Sequence, residues 1–145
     1  MVMKIYDKLV RDNIPKILKQ SKVKYKIEKC PPEKEATYIT KKLVEEVQEL
    51  VNAMMTSPDD PQQILSECAD IYTVLIRLAA LYDIEETDVL EFETLKTETN
   101  GGFEDAWILK WVEEEIEPDD DEYEELDIPP PTPPKPKRKK KSTDE

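Results

Sequence analysis

Residues 61–82 form a run that is apolar most of the way round a helix, and this constrains the chain more than any other feature. Ile64, Leu65, Cys68, Ile71, Tyr72, Val74, Leu75, Leu78 and Ala79 cover well over half the circumference at about 100° per residue. A helix this apolar must be packed on more than one side. Two acids interrupt it. Glu67 falls in the row Ile64, Ile71, Val74, Leu78, and Asp70 lies at the edge of that row, on the side that also carries Arg77. An ionised carboxylate in such a row costs several kcal/mol unless it is paired, on the order expected for a buried charge.

A second acidic group precedes it on another amphipathic run. Ile39, Leu43, Val47, Leu50, Val51 and Met54 make one apolar stripe. Glu46 flanks that stripe, Glu49 lies further round on the same side, and Lys42 falls between them in angle, one turn earlier. Glu45 points nearly opposite and is expected to face solvent. Glu46 with Glu49, and Glu67 with Asp70, are each spaced i,i+3, so each pair shares one side of its helix. If the two helices run antiparallel, the pairs converge. A hard divalent cation would neutralise them, and ion pairs with lysine or arginine would meet the same need.

The breaks between elements are legible in local chemistry. DNIPKILKQ begins a short helix, with Asp12 or Asn13 as cap and Pro15 in its first turn. KVKYKIEK alternates Val23, Tyr25 and Ile27 with charges, the pattern of a short strand. A long helix is expected over about 33–54, ended by SPDDP. Asp60 then caps the next helix with Pro61 at its first position, and a further helix covers about 85–99 before Asn100-Gly101-Gly102 stops it. Phe103, Trp107, Ile108 and Trp111 are expected to pack back on the bundle. The fold class is all-α, an antiparallel helical bundle with a short N-terminal strand.

Composition excludes several chemistries. With no His and two Gly, the chain has no His–Cys zinc site, catalytic His or Gly-rich phosphate loop. Cys30 and Cys68 have no framework spacing, and Cys68 is expected as a small core residue. Of the net charge of −13, residues 113–145 supply −7 and residues 1–112 supply −6. The first part is therefore only mildly acidic, and that argues against a broad nucleic-acid surface. Residues 1–112 form the expected domain. Residues 113–145 form an expected disordered tail with an acidic block, the proline-rich PPPTPPKP (129–136) and the basic KPKRKKK (135–141). The basic run resembles a nuclear import signal, and an electrostatic tail accounts for it equally well. The opening residues lack a signal-peptide pattern and no apolar run is long enough to span a membrane, so an intracellular protein is expected, cytoplasmic or nuclear.

These segments together resemble a known group. Glu45-Glu46-Val47-Gln48-Glu49, then 17 residues, then Glu67-Cys68-Ala69-Asp70 is similar to the EExxE…ExxD motif of MazG-type all-α nucleoside triphosphate pyrophosphohydrolases. The opening YDKLVRDNIPKIL and the segment KTETNGGF (96–103) resemble the phosphoribosyl-ATP pyrophosphatase-like branch, which has arginine where this chain has Asn100. The resemblance covers roughly residues 4–108. It implies Mg²⁺-dependent hydrolysis (Mn²⁺ being the alternative ion) of a nucleoside triphosphate to the monophosphate and pyrophosphate. Glu46, Glu49, Glu67 and Asp70 would be metal ligands, and Glu49, with Glu46, would act on the attacking water. Lys8, Arg11, Lys42 and Lys96 would contact phosphates, the alternative for each being a solvated surface charge. A homodimer or higher homo-oligomer with four-helix-bundle packing is implied, with base recognition shared between subunits. Two other functions fit the same residues: a phosphoribosyl-ATP pyrophosphatase, and an inactive helical interaction module. Under any of these readings the tail would bind an import receptor or another partner.

Overall fold

A computed structural model describes residues 2–113 of the chain. Four α-helices follow one another: α1 (Ile14–Gln20), α2 (Pro32–Thr56), α3 (Pro61–Ala80) and α4 (Glu86–Asn100). No strand occurs among the described residues, so the domain is all-α. The expected tail, 113–145, lies outside the described residues save Glu113.

The helix ends follow local chemistry. Pro15 stands in the first turn of α1, whose N-cap is Asn13, although the Asn13 side chain makes no capping bond. Asp60 Oδ1 accepts from the backbone N–H groups of Gln62 and Gln63 at 3.2 and 3.1 Å, and Pro61 opens α3. Such a cap is worth about 1 kcal/mol. Glu85 and Asp88 form a reciprocal capping box at the start of α4. Gly101 ends α4 at φ 82°, with its N–H donating to Thr97 O at 2.8 Å. That φ is one glycine adopts without penalty.

The core is the α2–α3 hairpin. Four residues, 57–60, connect the helices and force them antiparallel. Along α2 the residues turned inward are Ala36, Ile39, Leu43, Glu46, Leu50 and Ala53, at alternating steps of three and four. Along α3 they are Ile64, Glu67, Ile71, Val74 and Leu78, with the same steps. This is the seam by which two helices pack side by side at a shallow angle. Arg77 Nε donates to Glu35 Oε1 at 2.9 Å and pins the far end of the hairpin. Tyr72 donates to Glu86 Oε1 at 2.7 Å and ties α4 to α3.

Four expectations are corrected. KVKYKIEK forms no strand: it has no neighbouring strand to bond with, and a lone strand has no ladder to stabilise it. Phe103, Trp107, Ile108 and Trp111 do not pack back and are exposed, because the inner faces of α2 and α3 are already spent on each other. Cys68 is an exposed free thiol, since its position falls on the outer side of α3. Val47, Val51 and Met54 are also exposed, so the buried stripe of α2 is rotated from the expected one toward Glu46.

Candidate metal-binding carboxylate site

Glu46 sits in the middle of the inward seam of α2, a position that would otherwise hold a leucine-like side chain. It is 5 % exposed and, among the described residues, is the buried charged one. Glu67 occupies the facing seam of α3, and Glu49 stands one turn beyond Glu46. Carboxylate oxygens of Glu46, Glu49 and Glu67 all lie within 4.8 Å of one another. The grouping follows from the hairpin: two i,i+3 neighbours on α2 meet one residue of α3 in register.

The site is short of positive charge. Lys42 Nζ lies 2.6 Å from Glu46 Oε1 and 3.3 Å from Glu45 Oε1. Three carboxylates less one ammonium leave two negative charges, which one divalent cation would balance. Glu46 Oε2 and Glu67 Oε2 are both buried without a hydrogen-bond partner. A buried acceptor left unsatisfied costs about 1–3 kcal/mol, more when it is charged. These two orphaned oxygens belong to two members of the group and are an observation independent of the clustering; an oxygen-coordinated ion would be a partner for such acceptors. An all-carboxylate donor set suits a hard ion such as Mg²⁺ or Mn²⁺.

Electrostatics agree with that shortage. The Glu49 carboxyl is held above its ordinary value, first by partial desolvation, then by the charge of Glu46 and a hydrogen bond with it, and then by the charges of Glu45 and Glu67. Burial pulls the Lys42 ammonium down, but its hydrogen bond to Glu46 and the Glu46 and Glu45 charges outweigh this and raise it. Hydrogen bonding from Lys8 holds Glu45 below the usual carboxylate range, against some desolvation and with help from Lys42.

Asp70 is placed differently from the other three. It lies on α3 outside the group and forms an ion pair with Arg11. Lys8 pairs with Glu45 at 2.5 Å, and Tyr38 donates to Asp7 Oδ1 at 2.7 Å. Residues 7–11 are thus strapped across α2 and α3 beside the carboxylates by three side-chain ties. Glu45, expected to face solvent, is half-buried between Lys8 and Lys42. Of the expected phosphate contacts, Lys8, Arg11 and Lys42 gather at the site, each on a carboxylate. Lys96 is exposed on α4. A shallow depression beyond it is lined by Glu93, Thr97, Gly101, Gly102, Phe103 and Glu104. Its two carboxylates make it a poor seat for a phosphate.

No helix among the described residues is long and apolar enough to cross a membrane. No curated protein and no solved structure matches the chain. Residues 14–96 match the family model for phosphoribosyl-ATP pyrophosphohydrolase. The matched span contains Lys42, Lys96 and all the acidic residues of both motifs, and begins just after the strap that carries Lys8 and Arg11. With more than half its length matched and an all-α hairpin presenting the carboxylates, the chain belongs to the phosphoribosyl-ATP pyrophosphohydrolase family.

Proposed function

We propose that the chain is a Mg²⁺-dependent pyrophosphohydrolase that cleaves the α–β anhydride of a nucleoside triphosphate, releasing the nucleoside monophosphate and pyrophosphate. The observation that supports it is the pair of buried, unpartnered oxygens of Glu46 and Glu67 within a three-carboxylate group. Glu46, Glu49 and Glu67 would hold the ion, and Asp70 would join them if released from Arg11. A bound divalent ion supplies charge neutralisation at the phosphates and a water of lowered pKa. Glu49 is the member suited to accept that water's proton, because it is the one reachable from solvent and its carboxyl is already held above the ordinary value. Lys8, Arg11 and Lys42 line the approach and would meet the phosphates.

The family match supports phosphoribosyl-ATP as substrate equally, since that molecule presents the same triphosphate. Incubating the purified protein and Mg²⁺ with a panel of canonical and damaged (d)NTPs and with phosphoribosyl-ATP separates the readings. Pyrophosphate from the panel supports the first, and activity confined to phosphoribosyl-ATP selects the second. No pyrophosphate from any of them, with nucleotide binding unaffected by Glu67→Gln, would leave an interaction module.

We also propose a homodimer. Outside the seam that joins them, α2 and α3 carry a second one, from Val44, Val47, Val51 and Met54 to Leu65, Tyr72 and Leu75, each exposed by 39 % or more. It repeats the three-and-four spacing, so a second copy packed against it completes a four-helix bundle. An intracellular location, with nuclear entry through residues 135–141, belongs to the same proposal. A fusion of those residues to an inert reporter tests the entry.

A further inference from the structure

We propose that Lys42 is the resident counter-ion of the carboxylate site: it holds Glu46 when no metal is bound, competes with the divalent cation for it, and passes to Glu45 and the substrate's phosphates when the cation arrives. This deepens the metal-dependent reading above and rests on it.

Lys42 and Glu46 are i,i+4 neighbours on α2, so the helix itself keeps them adjacent. The Lys42 side chain is 17 % exposed and that of Glu46 is 6 % exposed, so their contact is largely shielded from water. One oxygen of Glu46 takes the ammonium at 2.6 Å, the other is buried without a partner, and the carboxylate belongs to the group with Glu49 and Glu67. A divalent ion held by that carboxylate would stand within a few ångströms of Nζ. Two like charges that close in a shielded site repel strongly. The ammonium must therefore move before the ion can be held tightly.

Glu45 supplies the place to move to. Its Oε1 is already 3.3 Å from Lys42 Nζ, so a small rotation exchanges one carboxylate for the other without stranding the ammonium. Glu45 also binds Lys8 on the same oxygen, at 2.5 Å. Once Lys42 leaves Glu46 to the metal, Lys8 and Lys42 would share this one carboxylate, and the positive charge left over would fall to a phosphate. The first acid of the EExxE segment is then the second seat of a mobile lysine, although it lies outside the three-carboxylate group.

The test uses the full chain, stripped of metal, without nucleotide, and follows free Mn²⁺ by electron paramagnetic resonance. Lys42→Met should bind Mn²⁺ about tenfold more tightly than wild type, an ordinary size for coupling between neighbouring sites. Lys42→Arg should stay near wild type, and Glu45→Gln should bind Mn²⁺ more weakly because Lys42 has lost its other seat. With Mg²⁺ present, Lys42→Met should bind α,β-methylene-ATP about tenfold more weakly, as the loss of one charged phosphate contact predicts. If Lys42→Met is poorly folded when metal-free, the rise in its melting temperature on adding Mn²⁺ is compared instead, and should exceed that of wild type. Wild type that binds Mn²⁺ with Lys42→Met unchanged or weaker overturns the counter-ion role and spares the metal site. Wild type that binds no Mn²⁺ overturns both.

Discussion

Arg11 and Asp70 are 59 positions apart, yet form an ion pair that fastens the N-terminal strap to α3 at the edge of the carboxylate group. The Tyr38–Asp7 bond fastens the same strap to α2. Exposed pairs of this kind are worth about 0.2–1 kcal/mol each, so neither single loss should unfold the domain. Arg11→Gln is expected to leave the melting temperature within a few degrees of wild type, consistent with that small energy. It should, however, sharply increase cleavage by trypsin or chymotrypsin within residues 4–10. Unchanged cleavage would show that the strap is held by something else.

Glu46 lies in a mostly apolar seam with Lys42 at its flank, and burying such an ion pair is costly. Replacing a whole buried pair by apolar residues of similar size is often stabilising by about 1–4 kcal/mol, whereas removing one partner is destabilising. The double variant Lys42→Met/Glu46→Leu should therefore denature at higher urea concentration than the metal-free wild type, and Glu46→Ala at lower. Both should lose metal binding. A double variant less stable than Glu46→Ala would mean that the pair itself holds the hairpin together.

Glu49 offers a pH test. Its carboxyl is raised, so the folded chain holds that proton more tightly than the unfolded chain does. The resulting stabilisation is present below the unfolded carboxylate value and is lost as pH rises through the higher folded value. With metal chelated, Glu49→Gln should melt a few degrees above wild type at pH 7, and the gap should close as pH falls into the carboxylate range. A gap of the same size at every pH would point to packing rather than charge.

The exposed second seam predicts a change of mass. In light scattering the wild type should have twice the mass of one chain. Leu75→Glu, which puts a charge in the α3 half of that seam, should give a single chain with unchanged helical content, because a charge in an apolar interface is not tolerated there. A wild type of single-chain mass would dispose of the dimer.

Much of the fold was legible because its signals are local. Asp60-Pro61 and Asn100-Gly101 act on the residues beside them, and the structure places helix ends there. The carboxylate group was legible too, through the three-residue spacing of Glu46 and Glu49 and the apolar row around Glu67. What failed was the centre of the α2 stripe. Ala36 and Ala53 are small, and leaving them out shifted the expected inward face toward Val47 and Met54, so Glu46 looked like a flank and Glu45 like the outside. Counting alanines as core would have put Glu46 in the seam itself. The ties of Lys8 and Arg11 have no periodic signature, since they join residues 37 and 59 positions apart. The exposed Trp107 and Trp111 show the other gap: a sequence declares a side chain apolar without naming the surface that will cover it.

The four-residue connection between α2 and α3 has a consequence for how the site comes into being. Glu46, Glu49 and Glu67 are contributed by one helical hairpin, and the residues that must meet are only about twenty apart along the chain. Contacts of such short sequence separation form early and quickly in folding. The acidic group is therefore expected to assemble ahead of the strap, whose ties join residues 37 and 59 positions apart. The same economy makes the register unforgiving. One residue inserted into α3 between its Asp60 cap and Glu67 would turn Glu67 by about 100° against the cap, swing it out of the seam, and leave a hairpin that still folds around a site it no longer has.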